Sequence, residues 1–417
     1  MTAGTATTAA GTGTVRPGRS VAVLVAAQLL SGVGVASSVA VGGVLAEQVS
    51  GTSAAAGVAQ TASIVGAGLV SVPLAELASR HGRRAGLGAG FGLGAVGAAV
   101  VLVAAVLGWL PLMLLGMLAF GSSTAAGLQS RYAAAEVSSP ARRARTMSLV
   151  VWSTTVGSVV GPNLSQAGAD LGTGVGLPAL AGPYLISVTV FVLAAAVLWL
   201  GLPVQPAPPA ADGPRVPARR VLLDAMSSPT LRLGIVAVVC GHAMMVSVMV
   251  MTPVHMTHQG MSLTLVGLVI SIHVLGMYAA SPLFGWLADR FGSRLVLGLG
   301  VALFVLAFLG GALAPDHHGL GSVWLSVALG LLGLGWSACL IGGSALMARG
   351  AADATRVRLQ GQVDSAMSLV AAATAAVSGP VLALGGYPAV NLVGAGVLAV
   401  LVVVALTSSH ADAAGRT

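Results

Sequence analysis

From Val21 to Thr407 the chain alternates long apolar runs with short polar joints. Each run reaches about 20 residues or more, enough to cross a hydrocarbon core of about 30 Å as a helix. The pattern predicts spans at 20–46, 53–78, 85–108, 111–135, 146–170, 181–203, 232–257, 262–288, 294–314, 321–347, 358–384 and 387–408. Twelve such runs predict an all-α membrane protein. The longest polar interval follows the sixth run, where PVQPAPPAADGPRVPARR (203–220) is too rich in Pro and Arg to pack a core. It divides the chain into two six-helix bundles, 20–203 and 232–408, joined by a linker at 204–231. Tails at 1–19 and 409–417 complete the organisation.

The two parts repeat one another. AELASRHGRR (75–84) after the second run matches GWLADRFGSR (285–294) after the eighth, 210 residues later. GPN at 161–163 in the fifth run is echoed by GPV at 379–381 in the eleventh. Internal duplication of this kind is how many carriers build a path between two pseudo-symmetric bundles.

Composition sharpens the membrane reading: 56% of residues are hydrophobic and 7% charged, outside the range of soluble globular chains. The 58 glycines fit close helix approach inside a bilayer, where apolar contact alone gives no preference over lipid. A net charge of +8 could suggest nucleic acid, but its placement excludes that partner. There is no Lys, and the arginines fall on one side of the predicted topology: Arg16 and Arg19 before the first run, Arg80, Arg83 and Arg84 after the second, Arg131, Arg142, Arg143 and Arg145 around the fourth joint. Opposite joints near Gln48, Gly108, Gly172, Gln259, Asp316 and Gly386 carry none. The positive-inside rule then predicts a multi-pass plasma-membrane protein with both termini in the cytoplasm. The first 19 residues lack an apolar core and read as a disordered tail, not a cleaved signal. Cys240 and Cys339 both fall inside spans, so no extracellular disulfide framework is expected.

The joint motif resembles the signature of the major facilitator superfamily, G-x-L-A-D-R-x-G-R-[RK]. Gly285, Asp289, Arg290, Gly292 and Arg294 match in the second copy, with Ser293 replacing one basic residue. Arg80, Gly82, Arg83 and Arg84 match in the first, where Ala75 replaces Gly and Ser79 replaces Asp, so the usual acid is missing. The resemblance implies that these residues act in gating, that the arginines pair with acids such as Glu136 or Asp364, and that a solute binds near mid-membrane and is exposed alternately to each side.

Methionine is lopsided. Seven of the fourteen lie between Met244 and Met277. Met245 and Met249 are one helical turn apart in the seventh span, and His273 and Met277 one turn apart in the eighth, at matched depth. Three thioethers and an imidazole form a soft-metal ligand set suited to Cu(I), and no carboxylate is expected at mid-membrane. The pattern resembles the CcoA-like copper importers, a branch of the same superfamily, which implies that Met245, Met249, His273 and Met277 hold copper, as an ion or small complex, on its way into the cytoplasm. An inside-negative potential would favour that direction by about 2.3 kcal/mol per charge per 100 mV. His242, one turn from Met245, is a possible secondary ligand; His255, Met256, His258 and Met261, and separately Asp316, His317 and His318, could capture metal at the outer face. Met113 and Met117 repeat the spacing and read as core filling.

The competing expectation is a carrier of a small organic solute, by drug efflux or riboflavin-type vitamin uptake. A membrane enzyme is not expected, because no nucleophile with a base, phosphate loop or catalytic carboxylate pair is found. No cofactor is expected, with copper counted as substrate, and two halves already complete a transport path in a monomer.

Overall fold

The computed structural model describes residues 17–52, 54–203, 218–313 and 320–414. Most of the expected N-terminal tail, the linker segment 204–217 and the outer-loop trio Asp316, His317 and His318 lie outside the described residues.

The chain is all-helical: α1 (Pro17–Ser50), α2 (Ala54–His81), α3 (Arg83–Leu107), α4 (Leu110–Glu136), α5 (Arg143–Gly174), α6 (Pro183–Gly201), α7 (Ala218–Ser227), α8 (Pro229–His258), α9 (Leu263–Tyr278), α10 (Ser281–Phe291), α11 (Ser293–Ala312), α12 (Leu320–Gly350) and α13 (Asp353–Ala414). Among the described residues, counting α9 with α10 as one and the two arms of α13 as two gives twelve helical segments beside the short α7. Among the described residues, ten stretches are long and apolar enough to span a membrane by length and composition, with both arms of α13 counted as one stretch. α5, with its Ser, Thr, Gln and Asn, is not among them.

Three local differences from the sequence expectation have simple causes. The eighth span is broken between Tyr278 and Ser281, where Pro282 in the first turn of α10 lacks the N–H that would continue α9. The eleventh and twelfth spans join at Gly386, whose φ of 68° and ψ of −171° take the chain out of the helix in a conformation open to glycine. Part of the expected linker is helical, because α7 turns Val221 and Ala225 inward and leaves Arg220 exposed.

Two hydrophobic cores follow the duplication. One runs from Leu24 to Leu202. The other lies between Val221 and Leu401 and draws in Tyr132, Ala135, Ala144, Met147 and Val151 from α4 and α5. The halves are therefore packed together at the end of the bundle that carries the arginine-rich joints. Glycines set the helix spacing: Gly32 of α1 and Gly157 of α5 bring the two backbones so close that a methyl on Gly157 would overlap the α1 backbone and one on Gly32 would press on α5.

Candidate functional site

A cavity of about 140 Å³ lies between the halves. α1 contributes Gln28 and Ser31, α4 Thr124 and Arg131, and α5 Thr154 and Ser158. The second half contributes Tyr278 of α9 with Trp336 and Leu340 of α12. The first-half wall thus sets a few polar side chains and the charged Arg131 among Val35, Ala36, Leu128, Val150 and Val151, and the second-half wall is largely aromatic.

Both walls are held in place. Gln28 donates from Nε2 to Thr154 Oγ1 at 3.0 Å, leaving its buried Oε1 without a partner. Gly127 keeps that amide in place, since a methyl there would press on it at 3.1 Å. Across the cavity Trp336 meets Tyr278 edge to face, with ring centroids 5.6 Å apart. The Trp336 indole donates to His242 Nδ1 at 2.9 Å. His242, expected as a secondary metal ligand, therefore has one ring nitrogen committed to positioning the aromatic wall.

At its arginine-rich end the cavity is floored by an ion pair between the halves. Arg131 of α4 donates to Asp364 of α13 at 2.6 Å, with side chains 1% and 0% exposed. The same guanidinium donates to Ser344 Oγ at 3.1 Å, Tyr132 Oη at 3.0 Å and the Leu128 carbonyl. Asp364 Oδ2 keeps no partner. Asp364 was expected to answer the joint arginines; its partner is instead Arg131, which the sequence reading assigned only to topology. Asp364 is wholly buried near the start of the predicted eleventh span, at its arginine-rich end.

Beyond this floor the two signature copies meet the opposite half. Gly82 and Gly292 occupy equivalent turns with φ of 85° and 93°, which residues bearing a Cβ rarely adopt. Asp289 accepts from the first backbone amides of α5, Ala144 N at 3.1 Å and Arg145 N at 2.8 Å, where the helix dipole favours an anion. It also pairs with Arg349 at 2.9 Å. In the first copy, where Ser79 replaces the acid, Glu76 one turn earlier bonds Arg358 of α13 at 2.7 Å and Arg80 at 2.6 Å. Arg83 pairs with Glu136 of its own half at 2.5 Å and reaches Gln360 of the other. Arg84 lies over the Trp199 ring, 4.7 Å from its centroid. Arg290 and Arg294 are exposed.

The Met and His set lies elsewhere. Met245 and Met277 are buried in the core of the second half, and Met249 packs against it partly buried. His273 is fully buried and uses Nδ1 on the Leu329 carbonyl of α12 at 2.8 Å, while Nε2 is sealed without a partner. None of the four is among the residues lining the central cavity. At the end of α8 away from the arginine-rich joints His255 stacks on Tyr387 with centroids 4.5 Å apart, Met256 and Met261 are buried, and His258 is exposed. Sequence reasoning missed Gln28, Thr154, Tyr278 and Trp336. A lone Gln within an otherwise apolar run was the available signal.

Comparison with known proteins follows the same architecture. The sequence pattern of the Major Facilitator Superfamily matches residues 23–272 and again 233–416. A relative from Bacillus subtilis (strain 168), described as the uncharacterized MFS-type transporter YdeG, is 36% identical over 393 residues, covering 92% of this chain and 90% of its own. The riboflavin transporter RfnT of Brucella anthropi is 28% identical over 381 residues, covering 89% and 91%. Among solved structures, the E. coli fucose:proton symporter FucP superposes with a TM-score of 0.74 at 16% identity, over 93% of this chain and 98% of that one. A bacterial homologue of the iron transporter ferroportin gives 0.70 at 14% identity, over 93% and 99%.

Proposed function

We propose that this chain, which belongs to the Major Facilitator Superfamily, carries a small, flat organic solute across the plasma membrane by alternating access. The observation that supports this reading is the largely apolar cavity between the halves, with Gln28, Thr154 and Arg131 set into one wall and the Trp336–Tyr278 pair on the other. An aromatic or conjugated solute would lie against the rings while its polar edge met Gln28 and Thr154, leaving few buried groups unpaired. The riboflavin-carrying relative transports a molecule of that chemistry. Release requires the arginine-rich end to open, which breaks Arg131–Asp364, Glu76–Arg358 and the Asp289 bonds to α5. Solute can drive that change only by as much as it binds the open arrangement better than the closed one. With the arginines facing the cytoplasm, this closed end is the inner gate.

A second reading, copper import, rests on one feature: the partnerless, buried Nε2 of His273, one turn from Met277. A soft cation would fill that valence. The two readings separate in one experiment on cells expressing the chain, with organic solutes in a nutrient extract and copper both followed by mass spectrometry. The organic reading predicts a solute whose movement falls at least tenfold in Trp336→Ala and persists in Met249→Ala. Copper uptake lost in Met249→Ala and kept in Trp336→Ala would overturn it.

A further inference from the structure

A second, small and mainly apolar recess that holds two arginines lies at the arginine-rich end of the first half, separate from the central cavity. It is lined by Arg83 and Arg84 at the start of α3, Leu24 of α1, Ala133 of α4, Val137 just beyond it, and Leu202 with Pro203 after α6. Its two cations are incompletely satisfied. Arg83 is 4% exposed, spends Nε and Nη2 on Glu136 and Gln360, and has Nη1 sealed from solvent without a partner. Arg84 lays its guanidinium over Trp199, and its buried Nε also lacks a partner. Two positive charges stand against one carboxylate, Glu136, so the recess carries an uncompensated cation beside two unused donors. A buried guanidinium donor without an acceptor is costly, and an oxyanion is the partner whose geometry suits two neighbouring guanidinium groups.

The surroundings select the source. Leu24, Ala133, Val137 and Leu202 give the recess an apolar wall. Trp199, 47% exposed, stands beside it in the manner of interfacial aromatic side chains. The recess lies where α3 begins and α4 and α6 end, the level at which a bilayer places its headgroups. We propose that Arg83 and Arg84 bind the phosphate of an anionic phospholipid, whose acyl chains run along this apolar wall. Arg83 also reaches Gln360 of the other half, so lipid bound here steadies the closed arrangement of the arginine-rich end. The site needs no knowledge of the transported solute.

The full-length protein in detergent is melted with added dioleoylphosphatidylglycerol, dioleoylphosphatidylcholine or inorganic phosphate, and bound lipid is counted by native mass spectrometry. Phosphatidylglycerol is expected to raise Tm by about 3 °C or more and to remain bound, with phosphatidylcholine and phosphate weaker. Arg84→Gln should abolish the difference between lipids, and Arg290→Gln, an exposed arginine outside the recess, should keep it. If Arg84→Gln folds poorly, Leu202→Glu, which puts a carboxylate into the recess, should lose the lipid instead. An equal shift with inorganic phosphate would overturn the lipid source. Unchanged phosphatidylglycerol preference in both recess variants, or no preference in the wild type, would overturn the site.

Discussion

The buried residues with most at stake are Arg131 and Asp364. Each is enclosed by helices of both halves, and removal of one strands the other's charge in a medium that solvates it poorly. Arg131→Leu alone should therefore destabilise the protein by about 3–5 kcal/mol, and adding Asp364→Leu should recover most of that loss; denaturant unfolding in detergent, monitored by Trp fluorescence, reads both. If the double variant were as unstable as the single one, the pair would not be the cause. His242 illustrates the limit of sequence spacing. Its position one turn from Met245 suggested a shared ligand set, but a helix face does not say which neighbour it meets, and in the structure the ring receives the Trp336 indole proton. His242→Phe should accordingly weaken solute binding about tenfold through the loosened indole, read as a raised half-saturation concentration for uptake at unchanged maximal rate. Equal half-saturation in the variant would place His242 outside solute recognition. Gln28 was legible only as an oddity, because a single polar residue in an apolar run gives no hint of the cavity opposite it.

At the scale of helices, the duplication that was visible as a 210-residue offset has a packing counterpart that the offset could not reveal. In the second copy Gly285 of α10 lets Ser148 and the Ala144 carbonyl of α5 approach. In the first copy the motif position is Ala75, and the missing space is supplied by the partner, Gly361 of α13, which faces the Ala75 methyl. The small residue has changed sides while the close crossing is kept. Glu76 likewise takes the inter-half bond that Ser79 cannot make. Sequence reasoning recorded both substitutions as departures from the motif and the acid as missing, since compensation at another position leaves no mark at the substituted one. Gly361→Ala should wedge α2 from α13, and Ala75→Gly in the same chain should restore the crossing. Spin labels at Ser139→Cys and Ala354→Cys would report a longer inter-half distance for the single variant and the original distance for the double. No change in the single variant would contradict the account. The positions of most spans were legible because burial in lipid demands length and apolarity; the break at Pro282 was masked by the unbroken hydrophobicity around it.

For the whole molecule, the one-sided distribution of arginine predicts orientation as well as shape. Protease-cleavable tags at both termini should be cut in inside-out vesicles and protected in right-side-out ones; cleavage on the opposite side would reverse the direction in which the closed end faces. The fold class was readable from the apolar pattern alone, whereas the central cavity was not, because it is assembled from five helices whose contributing residues lie as far apart as Gln28 and Leu340. The Met and His pairs stood out because they are close in sequence; the cavity lining did not, because it is close only in space. The central claim is that the solute binds between Gln28 and Trp336, and uptake by purified protein in proteoliposomes tests it most directly. A mixture of riboflavin and other flat aromatic metabolites, with copper present, is offered to wild type, Gln28→Ala and His273→Ala. The account predicts that an aromatic solute accumulates with wild type and His273→Ala and at least tenfold less with Gln28→Ala. Copper accumulation that survives Gln28→Ala and is lost in His273→Ala, with no organic solute moved by any of the three, would contradict it.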